Sequence, residues 1–247
     1  CRRRRSTRGL EAGERIGRGH VAGDAIASRR RRRADKILLL LSHSLLTDYP
    51  RRAHFEFYRA NPRPFYSVTF ELDATRLRER LADEGAPVYA GLCWHFHRAL
   101  QALDAFRVRL LGEDLVLYDA LQMGLTVPAP RRTFTFATFV WEPEWSRFAA
   151  GARAVLAKAS ERIDLSGGAA PDFAYYTTLP KVPFLGFTHV PLADPTAGQP
   201  ETAFGRIDER QGRFVVPVGV QVNHLFVDGG DLGDLFEAAQ SSFANPG

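Results

Sequence analysis

The sequence predicts an α+β fold built on a mixed β-sheet. Strand-like segments outnumber helical ones, and several connections are short enough to be hairpins. Across 247 residues, 45% are hydrophobic, which is enough for a substantial core. A doubly wound parallel sheet would instead need a helix between nearly every pair of strands.

Taken in order, the folded part starts near Tyr49. Residues 51–60 (RRAHFEFYRA) read as a short helix or turn. The β-branched and aromatic content of residues 65–72 (FYSVTFEL) gives a strand. Asp73 then caps a helix running to about residue 83, with Leu77 and Leu81 on one face. Residues 89–103 read as a second, more buried helix. Residues 107–111 and 114–118, split by Gly112-Glu113, form a hairpin. A strand at 133–140 precedes a helix over about 144–162, and residues 167–171 are a loop. Further strands are expected at 173–178 and 186–190. A final apolar strand over 214–226 leads into a short helix from about 231 to 241, and there is no internal repeat.

The first 45 residues are of another character. Residues 1–50 hold thirteen of the 33 basic residues and five of the 28 acidic ones, so they carry about +8 and the rest of the chain −3. Arginine runs such as Arg2 to Arg5 and Arg29 to Arg33 are usually disordered. Residues 1–45 are therefore expected to be a disordered extension ahead of a domain over 46–247. The chain begins with Cys1 and its single methionine is Met123, as expected of a fragment or of a mis-called upstream extension. The acidic main body offers no basic face for nucleic acid. Two cysteines, Cys1 and Cys93, make no disulfide framework, which points to the cytoplasm. Nothing approaches the run of about eighteen apolar residues that spans a membrane. The patch 37–41 behind the second arginine run is too short, and too far from the N-terminus, for a signal peptide. There is no Gly-rich phosphate loop. In Cys93-Trp94-His95-Phe96-His97 the histidines sit two apart on a helix, facing different ways, so core packing rather than a metal site is expected.

The most informative stretch is Gln221-Val222-Asn223-His224-Leu225-Phe226-Val227-Asp228-Gly229. It places a histidine, the side chain best suited to move protons near neutral pH, inside a buried, valine-rich strand. Asp228 is four residues on. If the strand continues, that is about 13 Å of extended chain, too far for the carboxylate to orient the imidazole.

Three separated blocks carry a resemblance. They are Arg51-Arg52-Ala53-His54-Phe55-Glu56-Phe57-Tyr58-Arg59, then Thr177-Thr178-Leu179-Pro180, then the nonapeptide with its glycine turn. Together they resemble the chloramphenicol acetyltransferase family, from about Tyr49 to Gln240. Ala105-Phe106-Arg107 and Leu117-Tyr118-Asp119 match in order and spacing between them.

The resemblance implies a two-layer sandwich with helices packed on one side of the sheet, of the kind shared by CoA-dependent acyltransferases. It implies a homotrimeric enzyme that moves acetyl from acetyl-CoA, a cosubstrate, to a hydroxyl of a small molecule without a metal, and a possible role in antibiotic resistance. His224 would be the general base, and Thr177 would occupy the place of the family's oxyanion-stabilising serine. Asp228 would pair with Arg51 as structural support. Phe57, Tyr58 and Thr126 would line the acceptor pocket, with Tyr89 toward the coenzyme. The chain departs from the pattern at Asn223, at Gly230-Asp231 and at Ala203, departures that bear on chloramphenicol recognition more than on acyl transfer. Three rival readings are a dihydrolipoamide acyltransferase-like core, against which Leu225 stands where an arginine is usual, a catalytically impaired CoA-binding relative, and a nucleic-acid binder acting through the arginine-rich arm.

Overall fold

The structure, a computed structural model, describes residues 42–165 and 170–247, so most of the Arg-rich extension and part of the loop expected at 167–171 lie outside the described residues. The frame is a mixed sheet made of β2 (Phe65–Asp73), β5 (Gln122–Ala129), β6 (Thr133–Phe139), β7 (Phe173–Thr178), β8 (Glu201–Phe204), β9 (Asp208–Arg210) and β10 (Arg213–Asn223). Its order is β2-β10-β8-β7-β5-β6, with β9 added at the start of β10. The β5/β7 and β7/β8 pairs are parallel and the others antiparallel. A small sheet joins β1 (His43–Leu45), β4 (Asp114–Tyr118) and β3 (Val108–Leu111). The helices among the described residues are α1 (Arg52–Arg59), α2 (Thr75–Asp83), α3 (Val88–Gln101), α4 (Trp145–Ser160) and α5 (Gly229–Ala244). None is long and apolar enough to cross a membrane.

The period of two in β10 sets the layering. Val216, Val218, Val220 and Val222 are buried in one core cluster with Leu92 and Phe96 of α3 and Leu235 and Phe243 of α5. Burying each such side chain contributes about 1.5–3 kcal/mol. A one-residue slip would expose all four, so the register is firmly specified. Gly219, between them, faces the opposite way, and a Cβ there would come 2.8 Å from Cβ of Phe187. Among the described residues that second face carries no helix; the loop between β7 and β8 lies over it.

Most elements fall where the sequence places them, and the exceptions have local causes. β10 stops at Asn223, short of the expected end at 226, because Phe226 and Val227 both donate their backbone N–H to Asn223 O and close a turn. His224 is therefore a turn residue and not a strand residue. Residues 186–190 form no strand; they lie over the face of the sheet, with Phe187 packed on Gly219, and not along its β2 or β6 edge. They cross the sheet as a loop tied by Phe187 N–H to Thr69 Oγ1 at 3.2 Å. Asp73 is one residue early for a cap: α2 follows Ala74, while Asp73 accepts from Thr75 N–H and Oγ1 in an Asx-type turn. The expected hairpin is β3–β4, whose turn needs the left-handed Gly112 (φ +64°). β1, β5, β8 and β9 had no counterpart in the expectation, and β1 falls at His43–Leu45, inside the stretch expected to be disordered, where it pairs with β4.

His95 and His97 are both buried, because α3 is enclosed around most of its circumference. His97 Nδ1 lies 2.7 Å from the Tyr176 hydroxyl and its Nε2 2.9 Å from Leu121 O. Burial pushes its pKa down to about 4, so it stays neutral and acts as a core hydrogen-bonding group.

Candidate active site

His224 is held from three directions. Its backbone N–H donates to Pro64 O at 2.8 Å. Its imidazole stacks on Tyr58 of α1 (centroids 4.1 Å apart, 11° between planes) and leans on Tyr66 of β2 (4.6 Å, 35°). Tyr58 is delivered by the burial of Phe55, one helical turn earlier, against Phe226. Tyr66 is delivered by its pairing opposite Val222, and its hydroxyl donates to Val227 O. The ring plane is thereby fixed, and Nδ1 is buried with no hydrogen-bond partner among the described residues.

The residues around the histidine hold its turn in place. Asn223 Nδ2 donates to Pro195 O and Ala197 O at 2.8 and 2.9 Å, and its Oδ1 accepts from Leu225 N–H. Its departure from the family pattern thus has a structural use: it ties the β7–β8 loop to the catalytic turn. Asp228 caps α5 in a capping box with Asp231. Arg51 Nη1 lies 3.0 Å from Asp228 Oδ2 and 2.7 Å from Asp231 Oδ2. The expected Arg51–Asp228 strut is present, widened to include Asp231, a residue that the sequence offered only as a departure from the family pattern. Tyr66 was also missed; its signal was a position opposite the histidine's own strand.

The other candidates stand elsewhere. Thr177 on β7 pairs with Ala203 of β8, which pairs with Gly219 of β10, so all three share the helix-free face. His224 is five residues beyond Gly219. That is about 16 Å along the strands and about 10 Å across two strand spacings, roughly 19 Å in all. Thr126 follows Leu125, the partner of Tyr176, and so stands beside Thr177. Phe57 is 73% exposed and meets Tyr58 edge-on. Tyr89 is half-buried, its hydroxyl donating to Gly205 O at 3.1 Å.

The same face carries a polar row that the sequence did not announce. Ser67 Oγ donates to Gln221 Oε1 (3.1 Å), Gln221 Nε2 donates to Glu201 Oε2 (2.8 Å), and His189 Nδ1 lies 4.0 Å from Glu201 Oε1. Burial pushes Glu201 up to about 7 and His189 down to about 4. A cleft of about 340 Å³ opens nearby, with Tyr175, Asp194 and Gln199 among its walls. A larger cavity of about 510 Å³ lies on the helical side, between Arg80, Trp94, Arg98 and Trp145, away from these groups.

Residues 42–240 match the model of the family described as chloramphenicol acetyltransferase. The chain belongs to that family. Among curated members, chloramphenicol acetyltransferase 2 of Escherichia coli is 29% identical over 187 residues, covering 74% of this chain and 88% of the relative. The enzyme of Streptomyces acrimycini is 29% identical over 206 residues, covering 81% and 93%. A solved chloramphenicol acetyltransferase superposes with a TM-score of 0.75 at 20% identity, over 82% of this chain and 99% of that one. A dihydrolipoamide acetyltransferase of Azotobacter vinelandii shares the fold (TM-score 0.61, 14% identity, 78% of this chain and 86% of that one). As a member of the chloramphenicol acetyltransferase family, the protein is an acyltransferase that carries acetyl from acetyl-CoA to a hydroxyl.

Proposed function

We propose that His224 is the general base of this transfer and that the complete site forms between subunits of a homotrimer, with a small-molecule alcohol as acceptor. The observation that carries this reading is the clamped imidazole, fixed between Tyr58 and Tyr66 with Nδ1 sealed. That leaves Nε2 to take the proton from the acceptor hydroxyl. The oxygen attacks the thioester carbonyl, and the resulting oxyanion accepts a hydrogen bond from Thr177. The C–S bond then breaks, and His224 returns the proton to the coenzyme A thiolate, giving the acetyl ester and free thiol. A positioned base contributes about 10²–10⁴-fold to such a step.

The separation of roughly 19 Å between Thr177 and His224, together with their different faces, supports a shared site. A hydroxyl in contact with one cannot reach the other in a single chain. The exposed Phe57, Leu185 and Val190 suit a subunit contact. Thr126, Phe57 and Tyr58 would then bound the acceptor, and Tyr89 would flank the coenzyme, in the cytoplasm where acetyl-CoA is available. Chloramphenicol, the drug named for the relatives, is the first acceptor to try, together with resistance of cells carrying the gene. Leu225, fully buried, leaves no room for the arginine expected of a dihydrolipoamide acyltransferase.

The test is complementation. His224→Ala and Thr177→Val proteins, each folded, should be nearly inactive in thiol release alone. Co-refolded, they should regain part of the wild-type rate through mixed trimers. Unchanged turnover in His224→Ala would sink the base assignment, and failure of the mixture to recover would sink the shared site.

A further inference from the structure

Glu201 is the least explained group in the fold. Its side chain is 12% exposed, and its hydrogen bond comes from Gln221, a neutral amide. Burying a carboxylate without a cation is unfavourable, and a partly satisfied polar network in a core is worse than an apolar one. The titratable groups facing it are His189 from the β7–β8 loop and Tyr175 from β7, while β10 and β2 offer Gln221 and Ser67. His189 is kept neutral by burial. Its Nε2 and the Tyr175 hydroxyl have no hydrogen-bond partner among the described residues. A carboxylate oxygen, a ring nitrogen and a phenol oxygen thus share one face with unused capacity, the Tyr175 ring leaning over Gly124 toward the charges of Arg109 and Asp172.

Their position gives the capacity a use. Glu201 pairs with Tyr175 across the parallel β7/β8 ladder, two residues before the Thr177–Ala203 pair on the same face. The Cα atoms of Glu201 and Thr177 are therefore about 7–8 Å apart. An acceptor whose reacting oxygen sits at Thr177 extends naturally over Glu201. An ammonium group brings three donors and a positive charge, matching what these three acceptors lack.

We infer that Glu201, assisted by His189 and Tyr175, is a specificity-determining group that selects an acceptor carrying a basic amine close to the hydroxyl that is acetylated. This rests on the proposed acetyl transfer with Thr177 at the reacting centre. It distinguishes this enzyme from one built for a neutral amide such as chloramphenicol.

A matched pair tests it: 2-amino-1-(4-nitrophenyl)propane-1,3-diol, a free amine, against its N-dichloroacetyl amide, which is chloramphenicol. Thiol release gives the rate, and mass spectrometry confirms that the acetyl is on oxygen. The wild type should favour the amine by about tenfold or more in kcat/KM, the weight of a charge-assisted hydrogen bond. Glu201→Gln should bring the amine-to-amide ratio of kcat/KM to parity, and that ratio, not either absolute rate, is the readout. Parity in the wild type, or a preference that survives Glu201→Gln, would overturn the inference while leaving acetyl transfer standing. No turnover of either compound, with thiol release to other alcohols intact, would overturn the inference alone, and no thiol release to any alcohol would overturn the acetyl-transfer reading and the inference with it. Dissociation of the Glu201→Gln oligomer in sedimentation, with the preference intact, would make Glu201 a subunit contact instead. Should the variant not fold, calorimetry of amine binding to the wild type at about pH 6, in buffers of different ionisation heat, decides. Proton release is expected as Glu201 ionises against the ammonium, and its absence refutes the idea.

Discussion

Replacing Arg51 by methionine keeps most of its packing volume and removes the charge that joins the first block of the chain to the last. The Arg51 side chain is 19% exposed and bridges Asp228 (44%) and Asp231 (26%) through a single nitrogen. Two effects follow from its loss. One charge-assisted hydrogen bond, to Asp231 Oδ2, disappears, a bond worth about 1.5–3 kcal/mol, and with it the ion pair to Asp228. Asp228 and Asp231 are then left as like charges facing each other across the start of α5. Solvent around the half-exposed Asp228 screens part of this, and the guanidinium no longer has to be desolvated. The net loss should be about 2 kcal/mol. For a domain of this size, that lowers the melting temperature by roughly 4–8 °C. Thermal unfolding of Arg51→Met, Asp231→Asn and the double variant forms a cycle in which the coupling should be about 1 kcal/mol or more. Because Asp228 also ends the His224 turn, kcat should fall well below the melting range, where the protein is fully folded. Wild-type melting of Arg51→Met, or a cycle that closes to zero, would show that the ion pair does not hold the turn.

Three further outcomes are expected. Thr177→Val, which keeps the shape and removes the hydroxyl, should lower kcat about 10²-fold with little change in KM, whereas Thr177→Ser should keep or raise kcat because its χ1 is freer; equal rates in all three proteins would remove Thr177 from the chemistry. Glu201, whose folded pKa of about 7 lies above its ordinary 4.5, contributes stability that is fully present below about pH 4.5 and lost as pH rises through 7. Glu201→Gln, measured by urea unfolding, should therefore match the wild type near pH 5 and exceed it near pH 8 by up to about 3 kcal/mol; the same difference at both pH values would refute the assignment, with His189 and Tyr175 the neighbours to suspect. In Gly205→Ala the new Cβ would lie 2.6 Å from Pro217 Cγ and 2.9 Å from the backbone oxygen of Val182. The rigid ring and the backbone cannot both yield, so a loss of about 1–3 kcal/mol is expected in urea unfolding, and an unchanged midpoint would contradict it.

What could be read from the sequence was whatever a short window contains. The alternation of Val216, Val218, Val220 and Val222 announces β10, and Gly112 announces the β3–β4 turn. β5 carries Gly124 and Pro128 among its apolar residues, and its strand character comes from neighbours on both sides, β6 and β7. β8 has four residues and exists because β10 and β7 flank it. Residues 186–190 have strand-like composition but are packed over the face of the sheet at Gly219, away from its free edges. Tyr66 joins the site through the β2–β10 register, and Asp231 joins it through the first turn of α5. Neither contact is encoded within its own segment.

The same distinction explains why His224 was found readily while its chemical context was not. Its pattern is local: an imidazole at the end of an apolar strand, followed by a capped helix. Thr177 is recognisable only by resemblance, and resemblance fixes order along the chain without fixing distance in space. Register supplies the distance. With Thr177 level with Gly219, two strands away from β10 and on the helix-free face, no bending of the catalytic turn brings the two side chains onto one substrate. In the proposed roles, His224 as base and Thr177 as oxyanion donor, the two are useful together only if a second copy of the chain brings its helix-free face to His224. The polar row of Glu201, Gln221 and Ser67 would then lie inside the shared site and not on an outer surface, which is why the acceptor's charge, rather than the base, is where this member of the family should differ from its relatives.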